Sequence, residues 1–228
     1  MFVRLFRIKD YLLASSKGFT LAEVLVTLGI IGVVSAMTVP TLMQNYQRKS
    51  YVTQLHKFYN ELSQALLQYQ TDRNAVNLKE AGLISNESIG LFFKNYFKII
   101  NDCGSTKTPC FYGGNYNKIN GNGVLTTTLG HYLTIADGMS VAYLYSGTDV
   151  IFTVDVDING AQGPNIAGRD MFNFAVFNNG VIDEQGVSTA PGTKEEREEI
   201  FNNGCIAANS TWTGCFGKIL NDNWEMTY

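Results

Sequence analysis

Residues 17–40 read KGFTLAEVLVTLGIIGVVSAMTVP, and one acid, Glu23, is the single charge between Lys17 and Arg48. On insertion scales a charge at the centre of a bilayer costs about 2.5–3.5 kcal/mol, so an acid kept there needs a reason. Residues 19–39 are almost wholly apolar, and about 20 helical residues cross the hydrocarbon core. A cleaved signal peptide has a shorter apolar core that ends at a small-residue site. Here the polar-to-apolar junction, Lys17-Gly18-Phe19, comes before the apolar run. The segment is therefore expected to be retained, with any cut on its basic side. One reading is an ordinary signal anchor whose acid snorkels to the interface; the other gives the acid a partner.

Charge is unevenly spread. The formal net charge of the 228 residues is −3, yet the first eighteen hold Arg4, Arg7, Lys9 and Lys17 against Asp10 alone. The rest of the chain is therefore acidic, which argues against nucleic-acid binding. A basic start before an apolar run points to membrane insertion with the basic end in the cytoplasm. Hydrophobic content of 45% against 16% charged residues describes a foldable chain rather than a disordered one. Its length suits one globular domain with an appended segment.

Beyond Pro40 the apolar residues Tyr51, Leu55, Phe58, Tyr59, Leu62, Ala65, Leu66 and Tyr69 recur at three- and four-residue steps. That spacing predicts an amphipathic continuation of the helix, ending near residues 71–74. Gly29, Gly32 and Pro40 are expected to bend or loosen it. A second helix is predicted over 86–100, with Asn86 as N-cap and an aromatic stripe of Phe92, Phe93, Tyr96 and Phe97 read as core. From about residue 124 the period changes to two. HYLTIA (131–136) and MSVAYLY (139–145) flank Asp137-Gly138, a two-residue hairpin signal. Further strands are predicted at 150–156 and 172–177, giving an antiparallel meander of four strands. Thr193 and Glu196 have capping-box spacing and open a short charged helix.

Four cysteines form two local pairs, Cys103/Cys110 and Cys205/Cys215. Even number and short spacing favour two disulfides in an oxidising compartment. The alternatives are free structural thiols or a metal site, to which only His56 and His131 could add imidazoles.

The run GFTLAEVLVTLGIIGVVSAMTVP resembles the type IV pilin and type II secretion pseudopilin family. In that family a basic leader ends in Gly, followed by Phe, Thr-Leu-x-Glu, an apolar helix and often a proline. Here those positions are Gly18, Phe19, Thr20-Leu21-Ala22-Glu23 and Pro40. The resemblance implies cutting between Gly18 and Phe19 by an inner-membrane prepilin peptidase, and methylation of Phe19. It also implies that Glu23 meets the new N-terminal amine during assembly, and a buried acid is far less costly when paired with a cation. The implied organisation is a leader over 1–18, a transmembrane assembly helix over 19–40, its amphipathic continuation over 41–73 and a globular domain over 74–228. The implied fold is α+β and pilin-like, a long N-terminal helix packed on a four-stranded antiparallel sheet.

FTVDVDINGAQGPNIAGRDMFNF is similar to the D-x-N-G-x-x-GPN-x-x-G-x-D-x-F stretch of many pseudopilin-like globular domains. It places Asp157, Asn159, Gly160, Gly163, Pro164, Asn165, Gly168, Asp170 and Phe172 on that pattern. Asp155, Asp157 and Asn159 alternate ahead of Gly160, as in positions 1, 3, 5 and 6 of a calcium loop. Ile166 stands where the bidentate Glu belongs, so Asp170 or backbone carbonyls would complete a Ca²⁺ shell. The other reading is a plain turn, since Asp-Asn-Gly clusters after a strand are commonly that.

No P-loop, G-x-S-x-G elbow or H-E-x-x-H occurs. Asp183-Glu184 and the EEREE run read as solvated surface. The expectation is a non-enzymatic subunit of a type IV pilus or type II secretion pseudopilus, with no cofactor unless calcium binds. Its implied partners are other pilin or pseudopilin subunits, the prepilin peptidase and an inner-membrane assembly platform. It would cross the inner membrane once, with its globular domain in the periplasm, and later enter a periplasmic or extracellular filament. In a different class, the alternative is a monomeric membrane-anchored periplasmic binding module.

Overall fold

The computed structural model describes residues 18–121, 123–125, 130–207 and 212–228. The leader expected over 1–18 lies outside them, apart from Gly18. The chain divides into two compact units, Met1–Asn45 and Tyr46–Tyr228. Helix α1, Leu21–Asp72, is 52 residues long and its helical assignment continues through Gly29, Gly32 and Pro40. It stops at Asp72, where the polar run after Tyr69 predicts a stop.

In the first unit every described residue is exposed, including Phe19, Leu25, Ile30, Ile31 and Met37. The helix is long and apolar enough to cross a membrane. Two of its threonines hide their polarity locally: Thr27 Oγ1 donates to the Glu23 carbonyl at 2.9 Å, and Thr38 Oγ1 to the Val34 carbonyl at 2.9 Å.

In the second unit α1 buries Val52, Leu55, Phe58, Leu62, Ala65, Leu66 and Tyr69, most of the predicted stripe. Complete burial of each large side chain is worth about 1.5–3 kcal/mol. Helix α2, Asn86–Tyr96, turns Ile89, Phe92 and Phe93 inward. Its N-cap is Ser85, whose hydroxyl accepts from Ser88 N–H while the Ser88 hydroxyl accepts from Ser85 N–H. Asn86 instead accepts the Tyr145 N–H at 2.8 Å. The predicted end at Ile100 is too late: Phe97 is extended and a strand starts at Ile99.

Nine described strands form one mixed sheet. They are β1 (Ile99–Gly104), β2 (Tyr116–Lys118), β3 (Val124–Leu125), β4 (His131–Ile135), β5 (Ser140–Tyr145), β6 (Val150–Asp157), β7 (Ile166–Ala167), β8 (Met171–Phe177) and β9 (Ile182–Asp183). Their order is β1-β4-β5-β6-β8-β7-β2-β3, with β9 on β8. The β4-β5-β6-β8 centre is the antiparallel meander read from the period of two. The four-stranded antiparallel expectation is corrected at its margins, because β7 joins β8 and β2 in parallel. Four of the added strands have two or three residues, too few to show a period. The fifth, β1, carries two register shifts against β4, so Asn101 and Asp102 break its alternation.

Both sheet faces are covered. Phe152, Val154, Val156, Phe172, Phe174 and Val176 pack with α1 and α2, while Tyr132, Ala142 and Met171 pack on Cys110, Phe111 and Tyr116 opposite. This explains why all seven residues of β8 are buried and why six of them are apolar, Asn173 being the exception. The chain finishes with α3 (Lys194–Ile200), a π-helical turn (Phe201–Cys205) and α4 (Cys215–Asn221). Near the C-terminal end Trp224 returns to α1, stacked on His56 at 3.9 Å.

Candidate functional site

The N-terminal feature is built from three residues. Gly18, Phe19 and Thr20 precede the helix, and α1 starts at Leu21. Thr20 caps it: the Glu23 N–H donates to Thr20 Oγ1 at 3.2 Å. Glu23 Oε2 accepts both the Thr20 N–H at 2.8 Å and the Thr20 hydroxyl at 2.9 Å. This is the reciprocal arrangement of a capping box, T-x-x-E, whose spacing is legible in the sequence. The box supplies a local reason for an acid at position 23 that the charge argument alone does not contain. Both bonds fall on Oε2, and among the described residues Oε1 accepts none. Phe19, 88% exposed, directly precedes Thr20. Its nitrogen is an amide in the intact chain and a cation once Phe19 is the N-terminus. What this arrangement can do chemically is hold one carboxylate oxygen fixed and leave the other for a positive partner.

The second candidate is the turn between β6 and β8. Asp157 is fully buried; its Oδ2 accepts the Tyr116 hydroxyl at 2.5 Å and its Oδ1 the Asn159 N–H at 3.3 Å. Asp170, also fully buried, accepts the Asn165 and Ile166 N–H groups at 2.7 and 2.6 Å. Burial drives both acids upward, Asp157 to about 8. The two repel each other, and the Asn159 amide also faces Asp170. Asp155 is not part of this group. It lies across the ladder from Asn173 and accepts its side-chain N–H at 2.6 Å. The structure thus brings together Asp157, Asn159 and Asp170 of the calcium expectation and leaves Asp155 elsewhere. Among the described residues no three acidic, histidine or cysteine side chains gather as a metal-holding group. The sequence reading missed Tyr116, which sits 41 residues before its carboxylate partner.

The cysteines are joined as Cys103–Cys110 and Cys205–Cys215. The second bridge belongs to a polar lock that corrects the solvated reading of 183–184. Asp183 and Glu184 are both fully buried. Asp183 takes a two-pronged bond from Arg197, Nε at 2.7 Å and Nη2 at 2.6 Å. Glu184 accepts the N–H groups of Gly214 and Gly217 at 2.7 Å each. Arg197 comes from the EEREE run, so one face of that helix is anchored rather than solvated.

The whole chain matches no curated protein and no solved structure. Its N-terminal part does match. Residues 13–39 fit the prokaryotic N-terminal methylation motif, and they contain Gly18, Phe19, Thr20, Glu23 and most of the exposed apolar helix. The chain therefore carries the hallmark of the type IV pilin and pseudopilin prepilin signal.

Proposed function

We propose that this chain is a structural subunit of a membrane-anchored filament, either a type IV pilus or a type II secretion pseudopilus. The observation that carries the reading is the methylation motif over 13–39, continued by an exposed apolar helix with a single acid near its start. A prepilin peptidase of the inner membrane would cut between Gly18 and Phe19 and methylate Phe19. Before assembly the helix would lie in the inner membrane, with Tyr46–Tyr228 in the periplasm. An assembly platform would then move it into a filament whose centre is made of such helices from neighbouring subunits. In that dry centre Glu23 pairs with the Phe19 amine, which offsets the cost of burying its charge. The chain supplies packing surface and no catalysis.

Two measurements test this. The intact mass of the chain recovered from membranes is expected to be that of a product beginning at Phe19 with one added methyl group; a chain that retains its first eighteen residues overturns the processing. Glu23→Gln keeps the capping box, because glutamine serves at that position, but removes the charge. It is expected to abolish filament incorporation. Full incorporation would leave capping as the whole role of Glu23 and favour the monomeric anchored module.

A further inference from the structure

Between Glu23 and Glu61 helix α1 has no acid, and its first bases after the apolar run are Arg48 and Lys49. Neither has an acid three or four residues away with which to pair along the helix. A second element brings another base to the same place. Arg169 is the one charge between Asp157 and Asp170, and it follows Gly168, which lies against the Cys215 sulfur. The Tyr228 hydroxyl donates to the Cys215 carbonyl at 3.2 Å, and Arg48 and Arg169 both act electrostatically on that hydroxyl. Arg169 acts also on Tyr51, about one turn after Arg48. Both arginines are half-buried. Yet among the described residues neither they nor Lys49 form an ion pair, and the buried Arg169 Nε has no hydrogen-bond partner. The acids that act on the same two tyrosines are engaged elsewhere. Asp157 and Asp170 accept from Tyr116, Asn159, Asn165 and Ile166, Glu184 from Gly214 and Gly217, and Asp222 pairs with Lys218. A half-buried cation left without an anion is costly, so the place is built for an anion that the chain does not supply.

Position along the chain names the anion. Exposed apolar side chains continue past Pro40 to Leu42 and Met43, and the exposed Tyr46 follows, an aromatic residue of the kind that sits at headgroup level. Five helical residues separate Met43 from Arg48, about 8 Å of rise. The headgroup layer on each side of the hydrocarbon core is about 5–8 Å thick. We propose that Arg48 and Arg169, with Lys49 beside them, seat the phosphate of an anionic phospholipid from the bilayer that holds α1. Guanidinium suits this task, because it is weakly hydrated and its planar fork grips phosphate oxygens two at a time. The lipid would tie the β7–β8 turn to the helix at the membrane surface. The proposal rests on the membrane-anchored part of the filament reading.

The test uses the full chain in neutral detergent micelles with added phosphatidylglycerol, phosphatidylcholine or inorganic phosphate. Native mass spectrometry counts bound lipid, and a melt follows stability. Bases of the first eighteen residues are common to every variant, so differences between variants report the second unit. The parent is expected to hold phosphatidylglycerol in preference to phosphatidylcholine and to melt higher with it, since a ligand of the folded state stabilises that state. Arg48→Gln and Arg169→Gln are each expected to weaken phosphatidylglycerol binding about fivefold and to leave phosphatidylcholine binding unchanged. Lys98→Gln, which removes an exposed charge just before β1, is expected to bind like the parent. Arg48→Gln changes a helix surface, so it keeps the test open if Arg169→Gln lowers the melt without lipid. Parental phosphatidylglycerol binding by either arginine variant overturns the proposal, as does equal binding of the two lipids by the parent. An equal rise in melting temperature with inorganic phosphate would assign a free anion and overturn the lipid. The anchored reading fails on a different result, recovery of the chain from cells without detergent, so the two failures are distinguishable.

Discussion

Gly168 lies against the sulfur of Cys215. A β-carbon placed on Gly168 would come 2.5 Å from Cys215 Sγ and 3.4 Å from Cys205 Sγ. The turn that carries Asp157, Asn165 and Asp170 is thereby locked to the Cys205–Cys215 bridge, and two stretches of sequence with no common pattern form one structural unit.

Gly168→Ala tests that lock. Gly168 also has φ +86°, where a side chain is strained. Strain and overlap together are expected to cost about 2–4 kcal/mol. A melt of the full chain in detergent measures this, and a free-thiol assay should show incomplete closure of the second disulfide.

Arg197→Ala should be among the most damaging single changes in the second unit. It leaves Asp183 fully buried with its charge uncompensated, and breaking such a pair costs about 3–5 kcal/mol. Denaturant unfolding should show a lower midpoint with an unchanged slope. Asp183→Asn in the same background should recover part of the loss, because it removes the stranded charge.

Glu184 gives the stability of the second unit a pH dependence. Burial pushes its carboxyl up to about 7 from an ordinary 4.5. A raised acid binds its proton more tightly in the folded state, so its contribution is fully present below pH 4.5 and is lost as pH rises through 7. Melting temperature is expected to fall between pH 5 and 7.5. Glu184→Gln, neutral throughout, should reduce that slope at some cost in stability, because its single carbonyl oxygen accepts from only one of the Gly214 and Gly217 N–H groups.

The 157–170 turn is expected to melt at the same temperature in millimolar calcium and in chelator. Both oxygens of Asp157 and of Asp170 already accept hydrogen bonds from the chain. A rise of several degrees in calcium would show an ion seated there, since a ligand that binds only the folded state stabilises it by mass action.

Much of this protein is written in local patterns. The apolar length of 19–39, the acid at 23 and the junction at Gly18-Phe19 depend only on neighbouring residues, as does the stripe from Leu55 to Tyr69. The β4-β5-β6-β8 meander is equally legible, because an Asp-Gly turn and a period of two are short-range signals. The capping box of Thr20 and Glu23 was available from its three-residue spacing; the apolar context drew attention to charge instead. Position 86 was misread by one residue because Ser85 and Asn86 are both good caps, and the choice falls to Asn86 reaching Tyr145 on a distant strand.

The fate of the polar residues depends on the assembled fold. Asp183 and Glu184 look like surface from their composition, yet Arg197, Gly214 and Gly217 converge on them and make burial tolerable. Asp155 and Asp157 look equivalent in sequence, but one meets Asn173 and the other Tyr116. The strands β2, β7 and β9 are two or three residues long and exist because neighbours hold them. The apolar residues that leave water are legible in the sequence, since hydrophobic periodicity is local. The folded chain decided which buried polar groups find partners, since those partners lie tens of residues away.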